Sequence, residues 1–185
     1  MIYCLLAEGF EEIEALCPVD ILRRGGRKVT VVSFGHGTEV CGAHGITVKA
    51  DTTVHELLAS DAWERELEML IFPGGMPGAK NLDTSPETDR LLSVAKSHNA
   101  FLCAICAAPM ILGKRGFLKN RRATCYPSFE TYLDGAVLSD ESVVRDGKII
   151  TANGMGAALS FGVTLLSALA GDEEGARIRA SVLAK

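Results

Sequence analysis

Residues 101–113 read FLCAICAAPMILG, an uncharged run that holds two cysteines and one proline. Its first half is wholly apolar and far too short to span a membrane, so residues 100–105 are expected to form a central strand buried on both faces. Pro109 lacks an N–H, a loss that a helix tolerates only in its first turn, and a helix is therefore expected over residues 107–113. A buried strand running straight into a helix is half of a parallel α/β unit. Cys106 stands at the junction.

The same pattern recurs in both directions along the chain. Residues 2–7 are a short apolar strand, followed from Glu11 by a helix that ends near Gly25-Gly26. Residues 28–34 are β-branched and read as the next strand, and residues 68–72 as another, stopped by Pro73-Gly74-Gly75-Met76-Pro77-Gly78. Ser85-Pro86-Glu87 opens a helix that ends near His98-Asn99. Residues 35–55 are glycine-rich around a short strand at 46–48, which fits a small hairpin excursion. Downstream, residues 122–126 suggest a strand, residues 143–150 a hairpin turning at Asp146-Gly147, and residues 156–169 and 173–183 two helices. The expected fold is α/β: a mostly parallel central sheet covered by helices on both faces, in one domain over residues 1–185.

Composition bounds the function. A chain of 185 residues buries roughly 70% of its extended surface, enough for a substantial core. Its net charge of -4 and scattered basic pairs give no reason to expect a nucleic-acid backbone as partner. No basic leader opens the sequence and no apolar run is long enough for a membrane span, so the cytoplasm is the expected location. Six cysteines fall mostly within apolar periods, as reduced core residues do.

In an open parallel sheet, ligands gather beyond the carboxyl ends of the strands, where three junctions stand out: residues 8–14, 73–78 and 105–108. Cys106, flanked by Ala104 and Ala108, has the spacing of a nucleophile elbow, and amide donors of the turn would favour a thiolate or an oxyanion. The alternative is an inert core cysteine. Cys103 and Cys106 also form a CxxC pair, but Cys103 lies within the strand and is expected to face the opposite side of the sheet, which disfavours a dithiol. Gly74-Gly75 permits close backbone approach, with the Gly75 N–H as an oxyanion donor, or is simply a tight turn. Glu14 shares a helical stripe with Cys17, Pro18 and Ile21, while Glu11 and Glu12 are expected nearer the exposed entrance. A carboxyl on such a stripe is cheapest when protonated and donating to a nearby anion, and the alternative is a surface glutamate at a helix start. Asp20 and Arg24 are spaced for an exposed ion pair or for an interface role. His36, His44, His55 and His98 form no recognised metal-ligand run, and Gly154-Met155-Gly156 lacks the third glycine of a dinucleotide loop, so neither metal nor cofactor is expected.

The ordered series AEGFEEIEALCPVDILRRGGRKVTV, LIFPGGMPGAKNL, FLCAICAAPMILG and RDGKIITANGMGAALSFGVTLLSAL resembles the ThiJ/PfpI superfamily, in the branch of the Parkinsonism-associated protein and bacterial YajL. The resemblance spans nearly the whole chain. It implies a flavodoxin-like three-layer sandwich and a homodimer, with Cys106 as the reactive elbow cysteine and Glu14 as its protonated partner. Gly75 and Ala107 become the backbone donors, and Asp20 matches an aspartate near the dimer interface. One departure concerns Tyr126, which stands where some relatives place a histidine beside the nucleophile. A phenol is a poor general base at neutral pH, so a Cys-His-acid protease arrangement is not evident. YajL-like members share that departure. The implied function is protective, acting on small reactive carbonyls or their adducts by a glyoxalase or deglycase reaction. An oxidative-stress sensor or chaperone built on an oxidisable Cys106 is the alternative. An association with thiazole biosynthesis finds no phosphate-binding run to support it.

Overall fold

A computed structural model describes residues 1–184. In chain order the strands are β1 (Ile2–Leu6), β2 (Val29–Ser33), β3 (Glu39–Cys41), β4 (Thr47–Lys49), β5 (Thr52–Thr53), β6 (Met69–Phe72), β7 (Phe101–Ile105), β8 (Arg122–Ala123), β9 (Val137–Leu138), β10 (Val143–Asp146) and β11 (Ile149–Ala152). The helices are α1 (Glu12–Arg24), α2 (Val54–Leu58), α3 (Ala62–Arg65), α4 (Gly78–Thr84), α5 (Pro86–Ser97), α6 (Pro109–Lys114), α7 (Ala158–Ala170) and α8 (Asp172–Ser181).

The central sheet has the order β10-β11-β7-β6-β1-β2-β5, and every pairing in it is parallel except the β10–β11 hairpin. Strands β1, β6, β7 and β11 are buried along their whole length, as continuous apolar runs under two helical layers must be. Alternation splits their side chains between two cores. Leu5, Leu70, Phe72, Leu102 and Ala104 pack with residues of α2 to α6, while Cys4, Leu6, Ile71, Cys103 and Ile105 pack with α1, α7 and α8. This is the flavodoxin-like three-layer sandwich, and the β3–β4 pair forms the antiparallel excursion beside it.

Helix α1 is seated closely on α7. A Cβ at Gly162 would lie 3.0 Å from Pro18 Cα, so the missing side chain is what lets the two backbones approach. Pro18 also lacks the N–H that would reach the carbonyl of Glu14 four residues earlier.

Several boundaries differ from expectation for identifiable reasons. The turn over Cys106–Ala108 delays α6 to Pro109, which places the proline at the helix's first residue. Only Arg122–Ala123 of the suggested strand at 122–126 pairs, because the Thr124 N–H turns to the Thr151 Oγ1 at 2.9 Å. The last long helix starts as a 3-10 turn over Met155–Ala157. No helix among the described residues is long and apolar enough to cross a membrane.

Candidate active site

Three loops at the carboxyl edge of the sheet converge on Cys106. The residue has φ 63°, in the left-handed region that a side chain adopts only under constraint. Two backbone bonds impose it: the Cys106 N–H donates to the Ala152 carbonyl at 2.9 Å, extending the β7–β11 ladder, and the Cys106 carbonyl accepts from the Tyr126 N–H at 2.8 Å. The result is a strand–turn–helix elbow with a half-buried thiol at its tip.

The elbow also resets which way the cysteine points. Cys103 lies in the core layer beneath α1 and α7, and Cys106 packs against that same layer, because the left-handed residue breaks the strand's alternation. The expectation of opposite faces is thus corrected. Cys103 is nevertheless fully buried, and burial pushes its thiol well above the ordinary value, so it remains poorly suited to redox exchange.

Glu14 reaches the sulfur from the first turn of α1. Glu14 is 1% exposed and interacts with the Cys106 thiol, and its Oε2 accepts the Gly74 N–H at 3.0 Å. The helix start is fixed by Glu11, whose Oε2 caps the Glu14 N–H at 2.6 Å. The Gly74 carbonyl accepts the Glu11 N–H at 2.9 Å, so the Pro73–Gly78 loop and α1 hold each other. Gly75 sits at φ 83°, and a Cβ there would lie 2.3 Å from the Glu11 nitrogen; only glycine serves. The Gly75 and Ala107 N–H groups lie near the Cys106 sulfur and favour its thiolate.

Burial pushes the Glu14 carboxyl up to about 7, with the nearby Glu11 charge adding to the rise and the bonds to Cys106 and Gly74 opposing it. For Cys106, burial first and then an ionised Glu14 push the thiol up to about 12, against the two amide bonds that favour the thiolate. On these values the pair holds two protons below about pH 7 and a single one above it, and that titration belongs to the pair. When that proton sits on Glu14, the repelling charge is gone and the carboxyl becomes a third donor to sulfur.

A stability signature follows. The pair's first folded-state pKa, about 7, lies above the ordinary carboxyl value of 4.5. A raised pKa contributes stability that is complete below the unfolded value and lost as pH rises through the folded one. Unfolding free energy should thus fall by about 3 kcal/mol between pH 4.5 and 7, and Glu14→Gln should remove most of that slope in denaturant titrations. A wild-type slope matching the variant's would contradict the buried pair.

Glu12 departs from expectation. Instead of standing at the entrance it is 4% exposed, covered by the loop joining β3 to β4. Its Oε1 accepts the His44 N–H at 2.8 Å and its Oε2 lies 2.8 Å from His44 Nδ1. Burial raises the Glu12 carboxyl, but these bonds outweigh it and hold the group below its ordinary value; the His44 ring is raised in turn by its bond to Glu12. Among the described residues, Glu11, Glu12 and His44 form the one grouping with ligand atoms close enough for a metal, within 4.8 Å, yet Glu12 and His44 already satisfy each other.

The remaining candidates lie around this centre. Tyr126 is 50% exposed with its ring over Gly154, 3.5 Å from where a Cβ of that glycine would stand, so its backbone clamps Cys106 while its side chain borders the opening. Asp20 lies further along α1, exposed and paired with Arg24 at 2.6 Å, outside the Cys106 cluster. The Ala152 carbonyl and the Tyr126 N–H were not expected as site elements. Their signal was the parallel pairing of β11 with β7, which sequence alone does not register.

Residues 1–168 match the profile of the DJ-1/PfpI family. The chain is 36% identical over 175 residues to protein DJ-1 homolog B of Arabidopsis thaliana, covering 94% of this chain and 39% of that longer protein. It is 29% identical over 177 residues to a Schizosaccharomyces pombe protein named glutathione-independent glyoxalase DJ-1, covering 92% of each. The crystal structure of Drosophila melanogaster DJ-1beta superposes with a TM-score of 0.90 at 32% identity, covering 100% of this chain and 97% of the other.

Proposed function

Because the chain belongs to the DJ-1/PfpI family, we propose that it is a cysteine-dependent protective enzyme acting on small reactive carbonyls, of the glyoxalase or deglycase type. The observation that carries this reading is Cys106 at a left-handed elbow beside the buried Glu14 carboxyl, with the Gly75 and Ala107 N–H groups near enough to favour its thiolate. Such an arrangement supplies a nucleophile, a proton shuttle and oxyanion donors in one place.

In the proposed reaction with methylglyoxal, the thiolate adds to the aldehyde carbon and forms a C–S bond. The aldehyde oxygen takes the Glu14 proton, giving a hemithioacetal. Glu14, now a carboxylate, removes the hydrogen of that carbon as a proton, and the electron pair passes into an enediol. Return of the proton to the former ketone carbon, with the hydroxyl proton passing from the former aldehyde oxygen to the former ketone oxygen, leaves a lactoyl thioester, which water cleaves to lactate while the pair regains its proton. The sum is methylglyoxal plus water giving lactate and a proton, with no external oxidant or reductant. An early adduct on an amine offers the same electrophilic carbon, with the amine as leaving group. Full-length chain incubated with methylglyoxal and no added thiol should form lactate; formation no faster than in buffer would contradict the reading.

The same geometry favours one further reading. A half-exposed sulfur facing two amides and a protonatable carboxyl is suited to oxidation by peroxide, in which one equivalent yields sulfenate and water and a second yields sulfinate. Selective Cys106 sulfinate in the absence of any carbonyl turnover would favour this sensor role.

A homodimer is proposed on the exposed apolar residues beside the site. Ile13 and Leu16 on α1 are 49% and 37% exposed, and Ile46 is 57% exposed in the loop tied to Glu12. Sedimentation should report a dimer that Ile13→Glu with Leu16→Glu converts to monomer, whereas a wild-type monomer at all concentrations would contradict it.

A further inference from the structure

A cavity of about 300 Å³ lies between α2 and α3, on the other face of the sheet from Cys106. Tyr3 and Trp63 on its wall belong to the core layer of α2 to α6, whereas Cys106 packs against the layer of α1 and α7. Tyr3 reaches the cavity from β1, Glu56 and Leu57 from α2, Ala62 and Trp63 from α3, and Glu66 from the residue that ends α3. The two aromatic residues are each 4% exposed, and their rings meet edge to face with 6.3 Å between centroids.

Both aromatic residues carry a polar end that the protein does not use. Trp63 Nε1 is the one buried side-chain nitrogen or oxygen without a hydrogen-bond partner among the described residues. The Tyr3 hydroxyl also lacks a partner among them, but it is not sealed as the indole nitrogen is, and it opens on the cavity. An indole N–H can only donate, and an unpartnered phenol donates readily, so this wall lacks an acceptor. The rim has the complementary lack. Among the described residues the Glu66 carboxylate accepts no hydrogen bond and pairs with no cation: the Met1 ammonium, bonded to the Glu66 carbonyl, pairs with Glu68 instead. Burial first and then the Glu66 charge push the Tyr3 phenol up to about 12, which places that carboxylate near the hydroxyl. Glu56 is occupied by the Thr52 hydroxyl and the Thr53 N–H. Among the described residues no lysine, arginine or histidine lines the cavity, so its two carboxylates turn away an anion.

A carboxamide presents an acceptor oxygen and two N–H donors on one planar group, which answers both lacks, and an apolar body beside it gains from Leu57, Ala62 and the Trp63 ring. We propose that this cavity binds a small neutral carboxamide with an apolar body, its oxygen accepting from the Tyr3 hydroxyl and its N–H groups donating to Glu66. The reading is independent of the chemistry at Cys106. Trp63 is the only tryptophan of the chain, so its fluorescence in the full-length protein reads the site directly. Benzamide should change that fluorescence saturably. Benzoate and benzylamine are of similar size, but the first is repelled by the carboxylates and the second carries no acceptor, so each should bind about tenfold more weakly or worse. Tyr3→Phe removes a hydroxyl that holds nothing in the protein, and it should leave the denaturation midpoint in place while weakening benzamide about tenfold. Glu66→Gln, at an exposed position, should relieve the repulsion and bring benzoate to within about threefold of benzamide. A fluorescence change that fails to saturate, benzoate or benzylamine binding as tightly as benzamide, undiminished binding in Tyr3→Phe, or an unaltered preference in Glu66→Gln would each overturn the proposal.

Discussion

Replacing Cys106 by serine should reduce lactate formation from methylglyoxal by about a thousandfold or more while leaving the fold in place. The exchange of sulfur for oxygen is nearly isosteric and keeps every backbone bond of the elbow, including those to Ala152 and Tyr126. What it removes is the ionisable nucleophile: a serine hydroxyl beside Glu14 has no strong base to activate it. Unfolding free energy should change by no more than about 1 kcal/mol, since no cavity is opened and no buried partner is orphaned. Turnover surviving in the serine variant at more than a few per cent would mean that the carbon–sulfur adduct is not an intermediate.

Substituting Gly74 by alanine should be nearly as damaging to activity, and for a purely steric reason. A Cβ at Gly74 would stand 2.5 Å from Glu14 Oε2, 2.7 Å from Cys106 Cβ and 3.0 Å from the Ile105 carbonyl oxygen. It would wedge between acid and thiol, and neither side yields easily, because α1 is packed on α7 and the elbow is held by two backbone bonds. The expected result is at least a hundredfold loss of turnover, with a destabilisation of about 1–3 kcal/mol from overpacking. Gly37→Ala is the control, since a Cβ there meets nothing within 4 Å. Equal effects of the two substitutions on turnover would refute the wedge.

Much of this organisation was legible in the sequence because burial leaves a strong signature. Continuous apolar runs mark β1, β6 and β7, and the strand–Cys–proline order locates the elbow. Glu14 was legible as a carboxyl on an apolar stripe, an arrangement that demands a partner. The short helices were not. α2, α3 and α4 have five, four and seven residues, too few to show a helical period, although Thr53 and Glu56 form the capping box that announces α2. Glu12 was misplaced because helical spacing says nothing of a distant hairpin loop folding over it; His44 lies 32 residues away and contributes through a backbone N–H as well as its ring. The face of Cys106 relative to Cys103 differs from expectation for a related reason. Strand alternation was extended through residue 106, where a left-handed backbone had already ended it.

The most direct test of the shared proton is the pH profile of Cys106 alkylation by iodoacetamide, taken as the difference between wild type and Cys106→Ser. If thiolate forms by transferring the pair's proton to Glu14, the rate rises with the first ionisation, at a midpoint near pH 7, and then levels off. A rate that climbs without a plateau past the ordinary thiol value of about 8.5, unchanged by Glu14→Gln, would show an unassisted thiol and contradict the account.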